Sequence, residues 1–224
     1  MSVVPAVMSA VAAKDLRMEA RGRHAASSVM PFAVTMLLAF GFALGPDRPL
    51  LAQTAAGLLW LSATFAAVDL FHRAYRTESD DGALGGLLLA PGAAGGVYLG
   101  KAAAAAVQLW LLVVATGLLV ALLFGLPVTH HPLLLLMVAA AGVVGLSAIG
   151  SLFGLLTVLG RRQAALPVLV LPLVSPVLIA AIRATQAAVS GDTGQAAGWL
   201  SVLAAFDAAF LALGYLVYGH LLED

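Results

Sequence analysis

An all-α, polytopic membrane fold follows from three observations. Hydrophobic residues make up 62% of the chain and charged residues 10%, with a mean hydropathy of +1.04, whereas about a quarter of residues are charged in soluble domains. Charge-free runs long enough to cross a ~30 Å hydrocarbon core recur along the chain. The basic side chains also crowd into alternate connections between those runs, as the orientation rule for membrane proteins requires. Zero net charge leaves no basic face for nucleic acid. The lack of cysteine excludes disulfides, thiolate metal sites and thiol nucleophiles.

Residues 1–28 are expected to form an N-terminal cytoplasmic or interfacial segment, and residues 29–224 the six-span membrane domain. Within that segment Lys14, Arg17 and Arg21 fall at i, i+3 and i+7, so they share one face if Val11 to His24 is helical. Asp15, Glu19 and Arg23 run beside them at i+4 steps, with Leu16 and Ala20 on a less polar side. This predicts a helix lying on the cytoplasmic surface with its cations near anionic head groups. The run after it, Val29–Gly45, has 17 residues, longer than the core of about 7–15 in a removable signal. It is expected to stay as the first span.

The remaining spans are Leu50–Leu70, Ala102–Phe124, Leu133–Leu159, Ala164–Ile182 and Trp199–Tyr218. Nine of the 11 Lys and Arg (Lys14, Arg17, Arg21, Arg23, Arg73, Arg76, Lys101, Arg161 and Arg162) lie on one side of them. Only Arg48 and Arg183 lie on the other, which puts both termini in the cytoplasm. Small residues mark close helix approach: Ala102 to Ala106, Gly142, Gly145 and the G-x-x-x-G of Gly150 and Gly154. Pro167, Pro172 and Pro176 each remove an amide donor from the fifth span and predict a bent helix.

Three further patterns suggest chemistry. Gly95 to Lys101 spells G-x-x-x-x-G-K, but Ala102 stands where a phosphate loop needs Ser or Thr, and a membrane helix follows. Lys101 is instead expected to snorkel from the inner end of the third span. His130 and His131 sit in the short outer turn T-H-H-P. Adjacent histidines can ligate haem iron or another metal, yet neighbouring side chains in an extended turn diverge. A solvated turn is therefore the first reading, haem contact the second. Asp207 is the ninth residue of the last span. A carboxylate at that depth faces protein or water, with Arg183 or a second subunit as its expected partner. No catalytic triad, paired-carboxylate cleft or metal motif emerges, so the chain is expected to be a conduit or lever, with no catalytic residue of its own.

The long polar interruption between the second and third spans holds seven charged side chains: Asp69, Arg73, Arg76, Glu78, Asp80, Asp81 and Lys101. Gly82 can end its acidic arm, and Ala83 to Ala90 can form a short helix stopped by Pro91. Leu84, Leu87 and Leu88 at i, i+3 and i+4 give that helix one apolar face.

The pattern Tyr75-x-x-Glu78-x-x-Asp81-Gly82-Ala83-Leu84 resembles F-x-x-D-x-x-D-G-S-L of the haem exporter B family (CcmB) of cytochrome c maturation. Here Tyr, Glu and Ala stand for Phe, Asp and Ser. Lys14 to Arg17, Tyr98 to Lys101, the proline-spaced Leu166 to Ala184 and the final segment from Phe206 to Asp224 resemble the same family, so the likeness covers nearly the whole chain. It implies a permease subunit of a bacterial inner-membrane ABC transporter, working with a separate ATPase, a haem-handling membrane subunit and a haem chaperone. A second copy of the permease is an expected partner too. Haem would be cargo or handled ligand, with no stably bound cofactor. Tyr75, Glu78, Asp81, Gly82, Leu84, Leu87 and Leu88 would then couple the ATPase to the spans. An ABC permease for a lipid or drug, or a non-transporting assembly scaffold, would share the fold.

Overall fold

The computed structural model describes the backbone of residues 3–22, 30–80, 94–125, 131–159 and 166–223, and the side chains of these except 3, 72–80, 155–159, 166–171 and 219–223. The described residues fold into seven helices with no strand. They are α1 (Val3–Gly22), α2 (Met30–Leu44), α3 (Arg48–Asp80), α4 (Ala94–Phe124), α5 (Pro132–Leu159), α6 (Leu166–Ser190) and α7 (Thr193–Glu223). Five of them, α3 to α7, are long and apolar enough to cross a membrane. The 15-residue α2 is apolar too, but at 1.5 Å per residue it spans only about 22 Å.

The chain is therefore an all-α, multi-pass membrane protein. Its helices sit where the hydrophobic runs predict, though several ends differ. The helix of the second span continues past Leu70 to Asp80. The third begins at Ala94 and not at Ala102, so the polar Gly95 to Lys101 stretch is helix. The fifth runs on to Ser190 and carries Arg183 within it. The last begins six residues before Trp199, at Thr193.

Turn chemistry accounts for two of the observed ends. Asp47 caps α3, its Oδ1 accepting the Leu50 amide at 3.2 Å, and Asp192 caps α7 by accepting the Gln195 amide at 2.8 Å. Such caps satisfy amides that have no partner in the first turn. Each is preceded by a glycine at positive φ, Gly45 at 72° and Gly191 at 85°, where a side chain would be strained.

Helix α5 is the hub, packing against α3, α4, α6 and α7, while α2 rests on α3 and α4. Three α5 glycines make this possible. A Cβ at Gly142 would strike the Trp60 ring of α3, one at Gly150 the Phe71 ring of α3, and one at Gly145 would lie 2.8 Å from Val177 of α6. With lipid outside, helix association gains little from hydrophobicity and relies on such close fits. They serve packing inside one chain.

Several polar groups in the bundle are tied to one another and to backbone. The Trp60 indole N–H donates to Thr185 Oγ1 at 2.9 Å, and that hydroxyl donates to the Ala181 carbonyl at 2.7 Å. Pro176 lacks the amide that would bond the Pro172 carbonyl, and the Ser175 hydroxyl donates to it instead at 2.7 Å.

Candidate functional site

Two of the predicted coupling residues lie where α3 stops, at the bundle end where α4 also starts, called here the arm end. Tyr75 and Glu78 are on the last turns of α3, and their side chains lie outside the described residues. Asp81, Gly82, Leu84, Leu87 and Leu88 lie wholly outside them. What the structure does describe is how both flanks of 81–93 are held.

On the α3 side, buried Phe71 is seated on Gly150 of α5. On the α4 side the fixing is denser. Tyr98 is 0% exposed, and its hydroxyl lies 3.0 Å from the Ala148 carbonyl of α5 and 3.2 Å from the Phe210 carbonyl of α7. Its ring covers Gly214 and lies 5.5 Å from that of Tyr218. Gly95 sits against the Tyr215 ring. One turn of α4 thereby grips α5 and α7 together.

The opposite face of the same turn receives α1. A Cβ on Gly96 would come within 2.9 Å of the Val4 carbonyl oxygen, and one on Gly100 within 2.7 Å of that of Met8. Val4, Val7, Met8 and Val11 form the α1 stripe that fits this seam, at the spacing of one helix face. Asp15 continues the stripe one turn on. Its Oδ2 lies 3.5 Å from Lys101 Nζ and its Oδ1 3.3 Å from Lys14 Nζ. The Lys101 side chain is 3% exposed and that of Asp15 16%. Lys101 thus does not snorkel outward: it is enclosed beneath α1. Removing one partner of such a buried pair costs roughly 3–5 kcal/mol. Lys14, Arg17 and Arg21 share the exposed face of α1, as the spacing predicts.

This explains the G-x-x-x-x-G-K string without nucleotide. Gly96 and Gly100 admit the backbone of α1, and Lys101 meets its carboxylate. Sequence reasoning missed Asp15, Tyr98, Gly96 and Gly100 as a unit. A signal existed, since Gly96 and Gly100 repeat the small-x-x-x-small spacing noticed at Gly150 and Gly154.

The other candidates are separate. His131 is half-buried at the opposite end of the bundle, where its carbonyl accepts the Leu135 amide at 3.1 Å and starts α5; His130 lies outside the described residues. Among the described residues no group of three His, Asp or Glu could hold a metal. Asp207 is 8% exposed and lies midway along the 31-residue α7. It points at Gly145, whose Cβ would lie 2.6 Å from Asp207 Oδ1. No ion pair joins it to Arg183, which is exposed on α6; the extension of α6 and α7 at their shared turn sets the two apart.

The fold defines a multi-pass helical membrane protein. The CcmB protein family model matches residues 6–223. Heme exporter protein B of Pseudomonas aeruginosa is 32% identical over 186 residues, 83% of each chain. Proteins of the same name from Rhodobacter capsulatus and Bradyrhizobium diazoefficiens are 31% and 30% identical over 92% of this chain and 94% and 93% of theirs. The chain belongs to the CcmB family.

Proposed function

We propose that this chain is the membrane permease subunit of an ABC transporter complex that exports or delivers haem in c-type cytochrome biogenesis. The observation that carries the reading is the family match over residues 6–223, with relatives named as haem exporters aligned along most of their length. Haem is cargo in this reading. ATP hydrolysis belongs to a separate subunit, and this chain carries no catalytic residue. It sits in the bacterial inner membrane with both termini cytoplasmic, supported by nine of 11 basic residues on one side. A haem-handling subunit, a haem chaperone and a second permease copy complete the assembly. His130 and His131, on the far side, are where haem contact would be sought.

The coupling acts through 81–93. Leu84, Leu87 and Leu88 dock in an ATPase groove, with Glu78, Asp80 and Asp81 meeting basic residues on its rim. Tyr75 and Gly82 flank the docked segment. Closure of two ATPase copies then pushes on α3 and α4 as a rigid-body lever. Helix α3 runs unbroken from Arg48 to Asp80, and Tyr98 ties the start of α4 to α5 and α7, so a push at 81–93 has a stiff path into the bundle.

Replacing Leu87 and Leu88 together by Asp is expected to abolish co-purification of the ATPase from detergent-solubilised membranes while membrane insertion is unchanged. Retained co-purification would remove the docking claim. Asp81→Lys should weaken the complex in a way that high salt reproduces, since surface charge pairs are screened. A mutant effect that salt fails to mimic would contradict the charge pairing.

A further inference from the structure

The start of α4 is the weakest place for a lever to be built. It reads A-G-G-V-Y-L-G-K, three glycines in its first seven residues, and each glycine destabilises a helix relative to alanine. A push arriving at Ala94 would bend this stretch before it reached Tyr98 or the spans beyond. Yet α1 lies along it, its backbone within 2.9 Å of where a Gly96 Cβ would sit and within 2.7 Å of one at Gly100. The Asp15–Lys101 contact closes the far end of that overlap.

We propose that α1 is a splint for the glycine-rich start of α4, and that Asp15 and Lys101 are positioning residues that clamp it there. The two helices then move as one body, and displacement at 81–93 is delivered through Tyr98 to α5 and α7. The glycines have a dual consequence: they soften α4 alone, and they let α1 approach closely enough to stiffen it. The clamp lies at the end of the seam nearest the spans, where Lys101 is enclosed. Without the clamp α1 still has its apolar stripe but can slide or lift, and the push is absorbed in bending.

This inference rests on the coupling reading above, and its test separates the two. Asp15→Asn and Lys101→Met are each placed in the intact complex, which is assayed for ATPase co-purification, ATP hydrolysis and covalent c-type cytochrome. The expected result is retained ATPase and hydrolysis within about twofold, with cytochrome formation down at least about tenfold, the uncoupling of a softened lever. The reciprocal exchange, Asp15→Lys with Lys101→Asp, should restore at least half of the lost cytochrome. Hydrogen exchange of amides 94–101 in the chain alone should quicken in the single variants and recover in the exchange variant. That measurement needs no ATPase, so it judges the splint even if coupling through 81–93 is wrong. Unchanged exchange at 94–101 in both single variants would overturn the splint. So would loss of cytochrome formation that the reciprocal exchange leaves unrepaired, or full cytochrome formation in both single variants.

Discussion

Glycines do different work in α4 and in α5. Those of α5 are sockets for rings: Trp60 on Gly142 and Phe71 on Gly150. Gly96 and Gly100 of α4 instead admit a neighbouring backbone, that of α1. The α5 sockets lie in the bundle core, filled by side chains from helices that must stay put. The α4 seam lies at the arm end, filled by a helix outside the core and closed by an ion pair. The first arrangement makes a fixed hub, the second an attachment that one charge pair secures.

Substitutions can break this comparison. The largest effect is expected for Gly142→Ala. The added methyl meets the Trp60 ring, which cannot swing away without losing its 2.9 Å bond to Thr185. Overpacking costs about 1–3 kcal/mol, and the upper end is expected here as a lower midpoint for heat denaturation in detergent. Trp60→Phe in the same chain should recover part of it. Gly100→Ala should cost less, about 1 kcal/mol, because α1 can give locally at Met8 while Asp15 stays on Lys101, and alanine favours the helix. Its signature is faster hydrogen exchange in 3–22 with little change in the midpoint. If both substitutions lower the midpoint equally, hub and seam are not distinct.

Tyr98→Phe keeps the ring over Gly214 and removes only the hydroxyl held by the Ala148 and Phe210 carbonyls. A loss of about 1 kcal/mol is expected, measured against wild type in the same denaturation. The smallest effect belongs to Gly57 of α3, where an added Cβ meets nothing within 4 Å. Gly57→Ala should be neutral or stabilising by up to about 1 kcal/mol. A clear destabilisation there would mean that glycine effects in this bundle do not follow contact.

The fold was legible because each long apolar run is also a helix that must bury its backbone polarity in lipid. Boundaries were legible only where turn residues announced them, as at Gly45-Pro46-Asp47. They were missed where tertiary contacts extend a helix through polar or glycine-rich sequence. Gly95 to Lys101 reads as a connection by propensity, but α1 and Tyr215 cover it on two sides. Lys101 looks like an interfacial anchor until Asp15, 86 positions earlier, is found against it. Asp207 was located in the last span, yet its place midway along the helix was not, because the polar and glycine-bearing stretch from Thr193 to Gly198 reads as a connection. The apolar face of Leu84, Leu87 and Leu88 stands on helical spacing and on resemblance, since those residues lie outside the described structure.

The most direct test of the account is covalent c-type cytochrome in cells whose gene for this chain is deleted. The account predicts that c-type cytochromes vanish, return with the wild-type chain, and stay absent with the chain carrying both Leu87→Asp and Leu88→Asp. Normal levels in the deletion strain would contradict it.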